Sequence, residues 1–280
     1  MDVRAALAKN PAISTPVQLK LSQDCVPFVR AALLENRRLV EEFQVGLADD
    51  IDTAVHLAAL LVPRLSPACM EIWVKESEEL AQLALARRKD LTPEMVSALS
   101  RSTHPSVMLA LLEHQDISTD KLEDFLRRGD TPTLLSILKR KDLPAELQAL
   151  AGERGEALPE VRLALAAYPQ LEDLAGLPLA EREEEEVLLA LAANPSPRLS
   201  QTRLRLAQNA GGYLGKLLLA NPLCHKKAIL ETLILRGDSV LLCHLAYRGI
   251  SCRDLSPEAQ EKLRQSPLPS VQALATPLSS

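Results

Sequence analysis

The chain has very few aromatic residues: three Phe, three Tyr and one Trp, Trp73, among 280 residues. Enzymes that extrude a nucleobase stack it between aromatic or apolar side chains, so this scarcity argues against base-repair chemistry. Hydrophobic residues still make up 47% of the sequence, so the chain has enough apolar material to bury a core. That core is aliphatic and dominated by Leu and Ala, two strong helix formers, which predicts closely packed helices.

Long uncharged apolar runs are also missing. No stretch of 18 or more such residues occurs, so we expect no membrane span and no membrane partner. Asp2 and Arg4 lie where a secretion signal would build its apolar region, so we expect no signal peptide. The five cysteines are odd in number and scattered, which favours reduced thiols over a disulfide framework. The sequence therefore predicts a cytoplasmic location.

Charge of one sign is not in large excess, and recognisable catalytic motifs are absent. The net charge of −5 argues against non-specific nucleic-acid binding, which usually needs a basic face, although it allows a local basic patch. The sequence has no phosphate-binding Walker loop and no His-Glu-x-x-His motif. We therefore expect a protein that is not an enzyme.

What the sequence does contain is a motif that recurs about every 26 residues. Its anchor residues are Val3, Val29, Val55, Ala81, Val107, Thr133, Val161, Val187, Leu214 and Val240, with a partial copy from Val271. A fixed period of 20–50 residues is the signature of stacked repeat proteins. We predict one α-solenoid domain over residues 1–280, with a partial capping repeat over residues 267–280.

Each repeat is predicted to contain two helical segments. Positions 0, +3, +4 and +7 from the anchor share one face of the first helix. The +4 positions are mostly Leu and end at His244, whereas the +3 positions are mostly Ala and end at Cys243. We predict that both columns are core, with His244 as an adaptation near the end of the stack. Asn-Pro, as in Asn194-Pro195, often ends this helix, because Pro cannot continue it.

Three segments carry a family resemblance: residues 3–11 (VRAALAKNP), 161–169 (VRLALAAYP) and 187–195 (VLLALAANP). They resemble the leucine-rich repeat variant family, which implies a right-handed superhelix of alternating α- and 3₁₀-helices. The resemblance covers nearly the whole chain but is looser in repeats three to six, which look more like HEAT repeats. The repeat is slightly longer here than in the family, so we expect a fully α-helical second segment.

The resemblance supplies a scaffold rather than a chemistry. One type of family member carries an iron–sulfur cluster on four N-terminal cysteines. This chain has no such cysteine cluster, so we expect no cofactor. The predicted fold class is an all-α, right-handed α-solenoid of about ten two-helix repeats. The predicted function is a non-catalytic, bacterial scaffold that binds a protein or peptide on an extended curved surface.

The candidate partner-binding residues lie in the turns after the first helices, at positions +6 to +8 of repeats four to six. They are Arg87, Arg88, Lys89, His114, Lys139, Arg140 and Lys141, with Arg88, His114 and Arg140 as the first choices. Clustered cations bind an acidic peptide, a phosphate or a nucleic-acid backbone. The alternative is a set of solvated helix ends, because cations complement helix C-termini and an Asp follows at position +9.

A second candidate is a metal site made by Cys224-His225, Cys243-His244 and Cys252, since zinc prefers thiolate and imidazole ligands. Neither Cys-x-x-Cys nor His-x₃-His spacing is present, however, and buried structural cysteines are common. Two alternative functions remain open: a metal-bearing accessory protein and a nucleic-acid-binding solenoid.

Three other features have structural explanations as well as functional ones. The acidic run Glu183–Glu186 either complements a helix N-terminus or attracts a basic partner. Trp73, Phe28 and Phe43 are interpreted as a buried wedge rather than a binding hot spot. Gly211, Gly212 and Gly215 surround Tyr213 without the preceding strand of a nucleotide-binding motif, so a repeat joint is the preferred interpretation.

Overall fold

The computed structural model describes residues 3–62, 65–75, 78–237, 239–250, 252 and 254–275. Over these residues all regular secondary structure is helical, which confirms the all-α prediction. The chain forms two compact units, residues 1–121 and 122–280, which are described separately as unit 1 and unit 2. None of the described helices is both long and apolar enough to cross a membrane.

Unit 1 consists of two layers of helices. Its complete helices are α1 (Val3–Ala8), α2 (Thr15–Ser22), α3 (Pro27–Leu33), α4 (Glu41–Ala48), α5 (Thr53–Leu60), α6 (Pro67–Lys75), α7 (Glu79–Ala86), α8 (Pro93–Leu99) and α9 (Pro105–His114). Helices α1, α3, α5, α7 and α9 pack successively against one another as the first helix layer. Helices α2, α4, α6 and α8 form the second helix layer in the same way.

Unit 2 repeats this arrangement. Helix α10 (Thr119–Arg128) begins in unit 1 and ends in unit 2. The first layer contains α11 (Thr131–Ile137), α13 (Pro159–Ala166), α15 (Glu185–Ala193), α17 (Gly212–Ala220), α19 (Ser239–Tyr247) and α21 (Pro269–Gln272). The second layer contains α12 (Ala145–Arg154), α14 (Asp173–Ala180), α16 (Ser200–Asn209), α18 (Lys227–Arg236) and α20 (Pro257–Arg264).

The second segments are α-helices in both units, as the repeat length predicts. The described 3₁₀-helices are short: Gly155–Ala157, Pro222–Cys224 and Ala273–Ala275. Within the predicted capping segment, α21 and the last 3₁₀-helix are formed, and residues 276–280 lie outside the described part of the chain.

Two helices begin with a proline directly after a capping Thr or Ser. Pro93 begins α8, and the Thr92 hydroxyl accepts a hydrogen bond of 3.3 Å from the Met95 backbone N–H. Pro257 begins α20, and the Ser256 hydroxyl accepts one of 3.4 Å from the Ala259 N–H. Both arrangements satisfy a free N–H group at the helix start, while Pro is tolerated where no intrahelical donor is needed.

The predicted +4 column is core in the middle of the sequence. Its members in repeats two to nine are fully buried: Leu33, Ala59, Leu85, Leu111, Ile137, Leu165, Leu191 and Leu218. The anchors from Val29 to Val187 are also buried. This part of the core prediction is confirmed.

The prediction for the +3 column is mostly wrong. Only Ala32 and Ala110 are buried in it, and the other members are partly or fully exposed. The buried neighbour of the +4 column is instead the +5 column, which includes Leu34, Ala86 and Ala166. On a helix, positions 0, +4 and +5 form one arc, and this arc faces the core. The +3 position therefore turns towards the open side of the first helix layer.

Repeat ten is shifted by one residue from its predicted alignment. Val240 is 54% exposed, whereas Leu241 and Leu245 are buried. Leu241 packs over Gly215 of the preceding first helix, where a Cβ atom would lie only 2.8 Å from its Cδ1 atom. The predicted core roles of Cys243 and His244 are therefore wrong: Cys243 is exposed and His244 is half-buried.

Candidate functional site

In several repeats, a side chain in the turn after the first helix is hydrogen-bonded to the preceding repeat. In unit 1 the Asn36 amide donates to the backbone carbonyls of Ala8, at 3.1 Å, and Asn10, at 2.9 Å. The last carbonyls of an α-helix have no partner within the helix. Asn36, at position +7, therefore satisfies the end of α1 and joins the two repeats.

The same bonds recur in unit 2. The Asn194 amide donates to the carbonyls of Ala166, at 2.7 Å, and Tyr168, at 2.9 Å. The Asn221 amide donates to the carbonyls of Ala192, at 2.9 Å, and Asn194, at 3.1 Å. The Asn of the Asn-Pro pairs thus acts between repeats as well as at the end of its own helix.

Arg88 occupies this junction position in repeat four. Its Nη1 atom donates to the Val62 carbonyl at 2.9 Å. Its Nε and Nη2 atoms donate to the carboxylate of Asp90 at 2.8 and 2.7 Å. Hydrogen bonds from Arg88 lower the pKa of Asp90, and burial opposes this shift. The structure therefore places the first-choice residue Arg88 in a structural junction, with its side chain only 14% exposed.

In repeat five the junction moves by one residue. The Gln115 amide donates to the Arg88 carbonyl and, at 3.3 Å, to the Ala86 carbonyl. His114, which occupies position +7, is exposed at the end of α9. Gln115 thus joins the turn that carries Arg87, Arg88 and Lys89 to the turn that carries His114, so four predicted site residues lie on adjacent turns of unit 1.

The other predicted cations belong to unit 2. Lys139 and Lys141 are exposed and Arg140 is half-buried, all after α11. The phenol of Tyr168 donates to the Lys141 carbonyl at 2.8 Å and accepts from the Leu143 N–H at 2.9 Å. This turn is therefore also fixed to its neighbour through backbone atoms.

Arg87 and Lys89 are the exposed cations of the turn after α7. Both are exposed, and neither forms an ion pair with another residue in the described part of the chain. The Asp at +9 that was expected to neutralise these turns is Asp90, and it pairs with Arg88. Glu113, exposed at the corresponding position +6 of repeat five, carries the opposite charge to Arg87.

Exposed apolar side chains also occur on the first helix layer of unit 1. Phe28 is 61% exposed, Leu61 is 80% exposed and Leu80 is 59% exposed, while Leu57 and Leu83 are half-buried. On α7, Leu80, Leu83 and Ala84 share one face with Arg87, because they are separated by three or four residues. We call the surface of these residues on α3, α5 and α7 the open face.

The predicted aromatic wedge is only partly formed. Trp73 is fully buried, and its Nε1–H group donates to Nε2 of His56 at 3.2 Å. Phe43 is half-buried and Phe28 is exposed. The prediction is thus confirmed for Trp73 and wrong for Phe28, which lies just before an anchor residue and faces the open side.

The cysteines and histidines of the metal hypothesis do not form a ligand set. Among the described residues, no three His, Cys, Asp or Glu side chains lie in an arrangement that could hold a metal ion. Cys224 and Cys252 are buried, and burial raises the pKa of each thiol to about 11. His225 Nε2 lies 3.0 Å from the Leu219 carbonyl, so its ring is engaged with the backbone.

A buried arginine in unit 2 was not predicted. The Nη2 atom of Arg203 donates to the carbonyls of Asn194, at 2.8 Å, and Ser196, at 2.6 Å. Its Nε and Nη1 atoms donate to no group among the described residues. Burial lowers the pKa of Arg203, while nearby Cys224 and Asp173 oppose the shift. An Arg in an amphipathic helix normally indicates a solvent-facing position, so the sequence carried no signal of this burial.

Buried glutamines at position +15 were also missed. In the second layer, Gln18 donates to the Arg38 carbonyl at 3.1 Å and accepts from the Val40 N–H at 3.0 Å. Gln148 accepts from the Glu172 N–H at 2.9 Å. Gln18 and Gln44 are 26 residues apart, so the repeat alignment contained a signal that identifies this second junction column.

No protein-family model matches this sequence, and neither a curated protein nor a solved structure shows significant similarity to it.

Proposed function

We propose that this protein is a non-catalytic scaffold that holds an acidic segment of a protein partner on the open face of unit 1. The observation that carries the proposal is the exposure, on one helix layer, of Phe28, Leu61 and Leu80 together with the cations Arg87 and Lys89 at the end of α7. Clusters of exposed apolar residues beside polar ones mark interaction surfaces in soluble proteins.

The turns support this function by fixing the surface in advance. The Arg88 bond to Val62 and the Gln115 bonds to repeat four tie adjacent turns together. A surface that is already ordered loses little side-chain and backbone freedom when a partner binds. Arg88 thus positions the turn, while Arg87 and Lys89 provide charge that a partner can reach.

Charge complementarity selects an acidic segment as the partner. Two cations lie at the C-terminal end of α7, and the apolar stripe of α7 leads towards them. A short amphipathic segment would place its apolar residues on Leu80 and Leu83 and its carboxylates near Arg87 and Lys89. The proposal also includes a right-handed superhelix of about ten repeats, as the resemblance to the leucine-rich repeat variant family implies, and a cytoplasmic location.

Fluorescence anisotropy tests the proposal with labelled amphipathic peptides of equal leucine content and acidic, neutral or basic charge. We expect the acidic peptide to bind tightest. Arg87→Glu should weaken its binding about ten-fold, because an attraction becomes a repulsion at a partly desolvated contact. Lys20→Glu is the matched control, since Lys20 is an exposed cation in the second layer.

Leu80→Asp and Leu19→Asp form a second matched pair, since Leu19 is 44% exposed on α2. We expect only Leu80→Asp to weaken peptide binding. Equal effects of the two substitutions, or equal binding of acidic and basic peptides, would contradict the proposal. A single-stranded DNA probe that binds more tightly than the acidic peptide, and loses binding in Arg87→Glu, would favour a nucleic-acid-binding function instead.

A further inference from the structure

Two features of unit 2 that are separate in the sequence meet in one cleft. The acidic turn before α15 and the start of α17 line a cleft of about 180 Å³, through Glu183, Glu185, Leu188, Leu189, Gly211, Tyr213 and Leu214. This volume accommodates one side chain rather than a whole small-molecule ligand. We call it the Glu183–Tyr213 cleft.

The cleft combines an apolar floor with an acidic rim. Leu188, Leu189 and Leu214 are half-buried, and Tyr213 is 65% exposed beside them. Glu183 and Glu185 are exposed at the rim. A large exposed aromatic ring on an aliphatic floor remains available for contact with a partner.

Two arginines near the acidic turn are already engaged. Arg162 donates to Glu184 at 3.0 Å and also to the Gly155 and Glu156 carbonyls. Arg182 pairs with Glu156 at 2.8 Å. Glu183 and Glu185 form no ion pair within the described part of the chain. The rim therefore keeps two negative charges that an incoming cation can meet.

The side chains that match this combination are lysine and arginine. Each has an aliphatic stem that covers apolar surface and a cationic end that remains near the rim. A cation over a tyrosine ring is also attracted by the negative face of the ring. An acidic or purely apolar side chain would leave the two carboxylates without compensation.

We propose that the Glu183–Tyr213 cleft binds a lysine or arginine side chain of a basic peptide segment in a partner protein. The stem lies on Leu188, Leu189 and Tyr213, and the cation lies between Glu183 and Glu185. This site is in unit 2 and has the opposite charge preference to the open face of unit 1, so it does not depend on the function proposed above.

The test uses the full chain and three labelled peptides, Gly-Ser-Lys-Lys-Ser-Gly and its counterparts with Glu-Glu or Gln-Gln in place of Lys-Lys. We expect the Lys-Lys peptide to bind at least about ten-fold tighter than either counterpart at low salt, and to weaken as salt screens the rim. Its binding should change the NMR amide signals of residues around Tyr213. Tyr213→Ala should weaken binding about five-fold, and Glu183→Gln with Glu185→Gln should weaken it further.

Matched controls distinguish this cleft from a general attraction to an acidic surface. Tyr247 is 87% exposed in the same unit, and Glu258 and Glu261 are exposed acids on α20. We expect Tyr247→Ala and the double variant Glu258→Gln, Glu261→Gln to bind the Lys-Lys peptide as the unaltered chain does. Equal losses in the controls, or unchanged binding in Tyr213→Ala, would overturn the proposal. All substituted positions are exposed, and circular dichroism checks that the variants remain folded.

Discussion

In both units, a side chain in the turn after a first helix is hydrogen-bonded to the preceding repeat. The residues that form this junction differ between the units. In unit 2 the joining residues Tyr168 and Asn194 are each only 2% exposed, and Asn221 is half-buried. Unit 1 begins with the buried Asn36, but in repeats four and five the role passes to Arg88 and Gln115, which are more exposed. The position after the first helix is therefore primarily a junction, and exposed positive charge beside it is an additional property of some turns, those of Arg87 and Lys89 in unit 1 and of Lys139 and Lys141 in unit 2.

This difference changes the interpretation of the basic turns. Arg88 is engaged within the protein, since Nη1 donates to the Val62 carbonyl and Nε and Nη2 donate to the Asp90 carboxylate. Arg87 and Lys89, on either side of it, have no such role in the described part of the chain. The charge on the surface of this turn therefore comes from the residues that flank the junction residue.

The largest expected difference between the units concerns the junction side chains. Asn194→Leu leaves the Ala166 and Tyr168 carbonyls and the Ser196 N–H without their buried partner. We expect it to lower the free energy of unfolding by about 3 kcal/mol, because each buried unsatisfied group costs about 1–3 kcal/mol. Arg88→Met should cost only about 1 kcal/mol, since water reaches that turn. Urea unfolding measures both, and equal losses would contradict the contrast.

Replacing a second-layer glycine by alanine should change stability in opposite directions in the two units. A Cβ atom at Gly176 of unit 2 would lie 2.6 Å from the Thr202 hydroxyl oxygen, which is held by Asp173 at 2.7 Å. We expect Gly176→Ala to destabilise the protein by about 1–3 kcal/mol through overpacking. Gly46 in α4 of unit 1 has no atom within 4 Å of the same position. Gly46→Ala should therefore stabilise by about 0.5–1 kcal/mol. Thermal unfolding that shows the same sign for both would refute this contrast.

The ion pairs of the two units should differ in their response to pH. Arg30 bonds to Asp50 at 2.7 and 2.8 Å, and this hydrogen bonding lowers the pKa of Asp50 below 3.8, against the effect of burial. A carboxyl group whose pKa is lowered by folding stabilises the protein above its unfolded pKa, and this stabilisation is lost as pH falls through the folded pKa. Asp50→Asn should therefore cost about 1 kcal/mol at neutral pH and progressively less below about pH 4.

Urea midpoints at about pH 7, 5 and 3 measure this change. Glu184→Gln in unit 2 is the comparison, because Glu184 pairs with Arg162 but keeps 37% of its side chain exposed to screening solvent. We expect a smaller effect there. A loss for Asp50→Asn that stays constant down to the lowest pH would argue against the Arg30–Asp50 pair as a source of stability.

The smallest expected effect concerns thiol reactivity, which distinguishes exposed from buried cysteines. Each unit has one exposed cysteine, Cys25 in unit 1 and Cys243 in unit 2. Cys69, Cys224 and Cys252 are buried, and burial raises the pKa of all three thiols. Because the thiolate is the reactive form, we expect Ellman's reagent to titrate two thiols in the folded protein and five in urea. Rapid reaction of Cys224 would indicate local opening of unit 2.

The repeat period predicted much of the fold because it reports side chains that every copy buries in the same place. The +4 column from Leu33 to Leu218 and the Pro-initiated helices follow from it. The choice between the +3 and +5 columns did not, because it depends on the side of each first helix that the second layer covers. The one-residue shift in repeat ten follows from the packing of Leu241 over Gly215, which is a tertiary contact.

The candidate site was predictable in position but not in the roles of its members. Arg87, Arg88 and Lys89 are adjacent in sequence, yet Arg88 turns inward to Val62 while its neighbours face solvent. Side-chain direction at the end of a short helix depends on the preceding repeat, and composition does not report it. The open face was missed because Phe28 and Ala84 were assigned to the core, and its leucines lie outside the columns that the repeat alignment used.

The acceptors of the junction bonds have a consequence for how such a chain can evolve. Asn36, Arg88, Asn194 and Asn221 donate to backbone carbonyls, which are present whatever side chain the preceding repeat carries. A repeat can therefore accept a new neighbour as long as it keeps its own donor and its length. Duplication or loss of whole 26-residue units, and free divergence of the surface residues between them, are changes that this arrangement tolerates.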